Sequence, residues 1–380
     1  MSAPSDPPKR LADPVVLLFE TSPFGTIDAI VQHDGQAVFF YLNESPDGSE
    51  APPKFGTRAC WVRNLELGPY VLNEAEMRKG ISPMLPRTHC VHPKAQPIPD
   101  PENLEIIWLE EGNGAALIEN LPDCPPTTLA IIPPWSGLEG FHGYASESAM
   151  ESPICWPMPD NPRLQTRIDR AKEFWAQFAP ENQANESDDE TSEQTFSNGP
   201  FIQLQEEILA YYDDRFLTSD DTNPCDKKYF AIDGGKFPPR GMVQYQTEDS
   251  LVLATVGMSL CPQPAVEIFS ENPQEQRRIE LAIRIEGKEK VQSALESIGQ
   301  RLSGLAGYPW KNFSWLGAGH TCDFSNVIPG YAGALLTAEP SEVDGTDNQP
   351  AGGLPDFRDD PVTLLWLVPK TEEEMKEFMA

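Results

Sequence analysis

The sequence predicts a mixed α+β protein in which a β-rich front is followed by a back half built as a mixed sheet flanked by helices. Three observations predict it. From residue 1 to about 155, short apolar runs are broken by Gly, Pro and Asp, a texture of strands and turns rather than long helices. Beyond Trp156, three stretches repeat apolar residues every three or four positions, each drawing one stripe on a helix. Among those helices lie apolar runs of strand length, one of them alternating with polar residues as a half-buried strand does.

In the front half, strands are expected at Val15–Glu20, Thr26–Val31, Ala37–Leu42, Arg58–Asn64, Leu104–Leu109, Ala115–Ile118 and Leu129–Ile132. Asp34-Gly35 stands between the second and third, where the pair supplies the positive φ that a tight hairpin demands. A β-meander is the simplest arrangement. Prolines at 51–53 and 93–101 mark loops, because proline cannot donate to a ladder. The Trp-Pro-Met-Pro-Asp-Asn-Pro stretch from Trp156 to Pro162 marks a boundary, dividing a domain over 1–155 from one over 156–380.

The second domain opens with a helix striped by Leu164, Ile168, Ala171, Trp175 and Phe178 and stopped by Pro180. From Glu181 to Gln194 no aliphatic side chain exceeds Ala184, so burial cannot repay ordering, and a mobile acidic loop is expected near 181–199. Phe201, Leu204, Ile208, Tyr212 and Phe216 stripe a second helix, with Glu206, Glu207, Asp213 and Asp214 toward water. Leu251–Val256 and Ile279–Ile285 are expected to pair in one sheet. Val291, Leu295, Ile298, Leu302 and Leu305 stripe a third helix, ended by Gly307 and Pro309. Val362–Val368 is a last strand, and Thr371 with Glu374 has the spacing of a capping box.

At 380 residues the chain is long enough for two domains, each with its own core. Its net charge of −31 opposes binding to phosphate backbones or anionic lipid and suits a basic protein partner, although solubility alone also accounts for it. The start, Met1 to Pro14, lacks the apolar core of a signal peptide, and no run of about 20 apolar residues occurs, so a cytoplasmic location is expected. The cysteines number seven, are scattered and form no CxxC pair, a pattern of reduced, mostly buried thiols rather than a disulfide frame or zinc ribbon.

Few residues suggest chemistry. His89-Cys90-Val91-His92 lacks the second ligand pair that zinc needs, so no metal is expected. Gly112-Asn113-Gly114 reads as a turn between strands, because no Lys-Ser/Thr or helix opening follows to hold a phosphate, and no cofactor is expected. Ser136, in Pro133-Pro134-Trp135-Ser136-Gly137 with His142 nearby, reads as scaffold. The acidic groups Asp188, Asp189, Glu190, Asp213, Asp214, Asp220 and Asp221 are the candidate partner-binding field, which would speed encounter with a basic protein. A solvated rim accounts for them equally well.

From Leu251 onward five motifs stand in order: Thr255-Val256-Gly257-Met258-Ser259; Glu280-Leu281-Ala282-Ile283-Arg284-Ile285; Gly317-Ala318-Gly319-His320-Thr321; Leu335-Leu336-Thr337-Ala338-Glu339-Pro340; and Leu364 to Glu373. In order and spacing they resemble the suppressor-of-fused domain, over roughly residues 160–380. The resemblance implies a suppressor-of-fused-like fold and a binder that does no chemistry. In animals the resembling protein restrains a transcription factor in the cytoplasm, and bacterial members are viewed as immunity proteins that neutralise toxins. The leading expectation is thus a bacterial, cytoplasmic, non-enzymatic inhibitor that occludes a basic protein toxin such as a nuclease. One alternative is a scaffold or regulator sequestering an endogenous protein. Another is a hydrolase using Ser259 and His320, although the Gly-x-Ser-x-Gly elbow is lacking. Gly257, Met258, Ser259, Gly319 and His320 are read as structural motif residues. Where the animal domain carries acidic residues after its turn, this chain has Leu260-Cys261-Pro262-Gln263-Pro264, which implies a different peptide. Residues 1 to about 155 match no domain of known activity.

Overall fold

The computed structural model describes residues 14–23, 25, 27–44, 57–66, 83–138, 140–158, 162–177, 199–217, 224–232, 240–312, 314–338 and 353–379. They form two compact units, Met1–Ala176 and Gln177–Ala380.

In the first unit β1 (Val15–Thr21), β2 (Ile27–His33), β3 (Ala37–Glu44) and β4 (Arg58–Asn64) make a four-stranded antiparallel sheet in chain order. The hairpin between β2 and β3 is set locally. Asp34 Oδ1 accepts from the Gln36 and Ala37 amides at 2.9 and 3.1 Å, and Gly35 takes φ +88°. A second sheet holds β5 (Leu104–Trp108), β6 (Ala115–Glu119), β7 (Thr127–Ile132), β8 (Tyr144–Ala145) and β9 (Trp156–Pro157). One meander through all the expected strands does not form. The sheets separate because each has an apolar face to cover, and Phe40, Leu42 and Trp61 of the first share a core with Leu104, Leu117 and Leu129 of the second.

Helix α1 (Pro162–Ala176), expected in the second domain, packs on the first unit. Ile168 and Ala171 join Ile107, Leu109, Ile118 and Ile131 of the five-stranded sheet. Trp175 Nε1 donates to the Trp108 carbonyl at 2.7 Å, while Arg170 and Arg167 pair with Glu110 and Glu111 beyond β5. Proline punctuation at Trp156–Pro162 marks the turn into the helix, but the apolar stripe decides which sheet the helix covers. The acidic loop expected near 181–199 falls, up to residue 198, outside the described residues.

The second unit is built on a seven-stranded sheet. Its order is β10 (Asp226–Ile232), β11 (Arg240–Gln246), β12 (Ser250–Val256), β13 (Arg278–Glu286), β16 (Val362–Lys370), β15 (Gly333–Thr337) and β14 (Thr321–Asp323). Only β13 and β16 run parallel; the other neighbours are antiparallel. Alternation along the strands gives the sheet two apolar faces. Leu251, Leu253, Leu281, Ile283, Leu365 and Leu367 face α3 (Lys288–Asn312) through Ile298, Leu302 and Leu305. Trp366 and Tyr245 face α2 (Gly199–Phe216), where the Phe216 ring lies 6.0 and 5.5 Å from theirs. The sheet is therefore flanked by helices, the α+β arrangement expected of this half.

Helix α3 continues past Gly307 and Pro309 to Asn312 instead of stopping there. Tertiary bonds hold the extra turn: Arg240 Nη1 donates to the Ala306 carbonyl at 3.2 Å, and Trp310 Nε1 donates to the Pro262 carbonyl at 3.1 Å. Thr371 and Glu374 close the capping box that opens α4 (Glu372–Met379), the Thr371 amide donating to Glu374 Oε2 at 2.7 Å.

Candidate functional site

Strand β12 ends at Val256, and Gly257, with a φ of +100°, turns the chain into one buried 3-10 turn, Met258–Leu260. Such a turn leaves backbone donors and acceptors that must find partners away from water. Two side chains on one face of β13 supply them. Glu280 Oε1 accepts from the Gly257 amide at 2.9 Å, the Ser259 amide at 3.0 Å and the Ser259 hydroxyl at 2.6 Å, and Oε2 accepts from Thr255 Oγ1 at 2.6 Å. Arg278 Nη1 donates to the Ser259 and Leu260 carbonyls at 3.0 and 2.9 Å, its Nε donates to Asp360 Oδ2 at 3.0 Å, and its guanidinium lies 5.0 Å over the Phe357 ring. Both Glu280 and Arg278 are fully buried. Burial pushes the Glu280 carboxyl above its ordinary value, and the hydrogen bonds from Ser259, Thr255 and Gly257 oppose the shift.

Gln263 joins this turn to the one ending at His320. Its Oε1 accepts from the Leu316 amide at 2.8 Å, and its Nε2 donates to the carbonyls of Leu316 at 2.9 Å and Gln276 at 2.8 Å. Gly317 lies under the Trp315 ring, where an added Cβ would collide with that ring and with Gln276. Gly319 takes φ +88°. The half-buried His320 ring sits edge-on to Trp315 with centroids 4.3 Å apart, and burial lowers its pKa against a backbone hydrogen bond to Trp315.

These contacts count against Ser259 as a nucleophile. A serine nucleophile needs a base within hydrogen-bond reach and access for substrate. Ser259 is fully buried with its hydroxyl given to Glu280, while the His320 ring packs on Trp315. Gly257, Met258 and Ser259 sit in the buried turn after β12, and Gly319 and His320 in the turn before β14.

Of the candidate acidic field, Asp188, Asp189, Glu190, Asp220 and Asp221 lie outside the described residues. Asp213 and Asp214 are near the end of α2. Asp214 is exposed. Asp213 instead accepts from Tyr245 Oη at 2.6 Å and pairs with Lys227 Nζ at 2.6 Å, and burial followed by the Asp213 bond pushes the Tyr245 phenol up. In the first unit, His92 Nδ1 lies 2.5 Å from Glu147 Oε2, the Cys90 thiol faces backbone carbonyls, and Ser136 is buried. Among the described residues no three metal-binding side chains converge, and no helix is long and apolar enough to cross a membrane. All seven cysteines are free; Cys60, Cys155 and Cys261 are buried, fewer than expected.

Sequence reasoning missed β10 and β11. As the end strand of the sheet, β10 pairs only with β11 among the described residues, and six of its seven residues are exposed. Tyr229 is 49% and Phe230 40% exposed, large apolar groups on opposite faces of the same edge. The Tyr229 ring lies across Gly241 of β11, filling the place of a side chain. The readable signal was Tyr229-Phe230-Ala231-Ile232, a run with strand propensity. Alternation is absent because both faces of an edge strand meet water.

No curated protein matches the chain. Residues 239–379, which carry β11 to α4, both glycine turns and the Glu280–Arg278 pair, match the model of the suppressor of fused protein (SUFU) family, a protein-interaction family.

Proposed function

We propose that the chain is a non-enzymatic protein-binding regulator that takes up an extended segment of its partner along β10, and that the partner is a basic protein. The observation that carries this reading is the exposed edge of the seven-stranded sheet. An end strand offers unpaired backbone donors and acceptors to an incoming strand, whose side chains then find Tyr229 and Phe230 on the two faces. The match of residues 239–379 to a protein-interaction family supports it. So does the net charge of −31, which speeds encounter with a basic partner.

The most specific role in keeping with these features is that of an immunity protein. It would sit over the active site of a basic toxin, with aromatic side chains as anchors and carboxylates at the rim. Affinity capture on the tagged full chain, followed by washes of rising salt, tests the reading. One predominant basic protein should be retained and then released as salt rises, and a toxin encoded beside the gene should lose activity when mixed with the chain. Capture of an acidic partner, or of one indifferent to salt, contradicts the electrostatic part. An endogenous partner with no toxin gene nearby replaces immunity with sequestration.

A further inference from the structure

Lysines on an edge strand ordinarily keep other strands away, because a charge at the pairing line resists desolvation. Strand β10 carries two, Lys227 and Lys228. Lys228 Nζ is 2.6 Å from Asp226 Oδ2, but both side chains are more than half exposed and the pair is weakly held in water. Lys227 is held differently. Its Nζ lies 2.6 Å from Asp213 Oδ1 and 2.7 Å from Oδ2, and it stands 5.8 Å over the Tyr245 ring. The carboxylate is itself fixed by Tyr245 Oη at 2.6 Å. Lys227 and Tyr245 are register partners on β10 and β11, so one carboxylate on α2 pins the helix to two adjacent strands.

We propose that Asp213 is a specificity-determining positioning residue, which draws Lys227 off the pairing edge onto the face of the sheet and so opens β10 to basic rather than acidic segments. The inference rests on β10 being the docking edge. With Lys227 held, its ammonium is compensated on the sheet face instead of meeting the incoming chain. The net charge of −31 then favours positive side chains on the segment. Asp213→Asn keeps an oxygen to accept from Tyr245 but loses the charge that holds Lys227. The released ammonium returns to the edge, where it repels a basic segment and attracts an acidic one.

The test measures fluorescence anisotropy of two labelled extended peptides of equal length on the full chain, with valine alternating with lysine in one and with glutamate in the other. The unaltered protein should prefer the lysine peptide by about tenfold. Asp213→Asn should erase the preference with little change in urea midpoint, and the Asp213→Asn/Lys227→Gln double variant should regain most of it, because no lysine is left to release. Loss of preference that the double variant fails to restore, or a preference unchanged by Asp213→Asn, overturns the proposal. In either case, if Phe230→Asp still abolishes lysine-peptide binding, the docking edge stands. If neither peptide binds, or Phe230→Asp leaves binding intact, β10 is not the docking edge and the proposal falls with it.

Discussion

The Ser259 hydroxyl donates to Glu280 Oε1 at 2.6 Å inside the second unit, where neither residue meets solvent. The bond joins two motifs that stand 21 residues apart in the chain. It also holds a serine that follows a tight glycine turn inside the core, away from any substrate. With the Gly257 and Ser259 amides and the Thr255 hydroxyl bonded to the same carboxylate, the turn is closed at the end of β12.

Removing the acceptor should be costly. Glu280→Ala leaves the Gly257 and Ser259 amides and two hydroxyls without their carboxylate, and a loss of about 3 kcal/mol or more is expected. Ser259→Ala removes one donor and should cost about 1 kcal/mol. Urea unfolding of both variants checks the order, and a larger loss for Ser259→Ala contradicts it.

Glu280 also gives stability a defined pH dependence. Its folded pKa is raised above 4.5 by burial, so its contribution is fully present below 4.5 and fades as pH rises through the raised value. Glu280→Gln lacks that titration. Unfolding free energies measured in steps from about pH 4 to pH 7 should show the variant gaining on the unaltered protein as pH rises. A gain in the other direction means that the hydrogen bonds outweigh burial.

Arg278 is fully buried and pairs with Asp360, which also pairs with Arg277. Asp360→Ala should therefore cost about 3–5 kcal/mol by removing a carboxylate partner of the buried guanidinium, whereas adding Arg278→Met should recover part of the loss. Thermal or urea unfolding of the single and double variants decides. A double variant worse than Asp360→Ala shows that the Arg278 bonds to the Ser259 and Leu260 carbonyls dominate.

How much of this was legible depended on range in sequence. Asp34-Gly35, the Thr371–Glu374 box and the stripe of Leu204, Ile208, Tyr212 and Phe216 obey rules that act within a few residues, and each formed as expected. The turn residues of the suppressor-of-fused resemblance were also legible, but their partners were not. Arg278 and Asp360 are 82 residues apart, and nothing local pairs them. The division of the front half into two sheets was equally hidden, because a list of strands does not say which apolar faces meet. Asp213 was expected toward water. It lies beside Tyr212 at the margin of the α2 stripe, near enough to the sheet for Tyr245 and Lys227 to claim it. Strand β10 escaped notice because it lacks the one-sided burial that makes a strand readable.

Side chains on β10 should matter to binding and little to folding. Tyr229→Ala and Phe230→Ala should each weaken retention of the captured partner by about tenfold or more. Circular dichroism should stay unchanged for Phe230→Ala, and Tyr229→Ala should lose modest stability by uncovering Gly241. Undiminished retention in both contradicts the assignment of the edge.

Hydrogen exchange on the full chain, free and bound to its captured partner, addresses the docking edge most directly. Strand addition predicts that alternate amides of Asp226–Ile232, open in the free protein, become protected in the complex while the amides of Gly257 and Ser259, already bonded to Glu280, do not change. Protection confined to other surfaces, with β10 exchanging as fast as before, would show that the partner docks elsewhere.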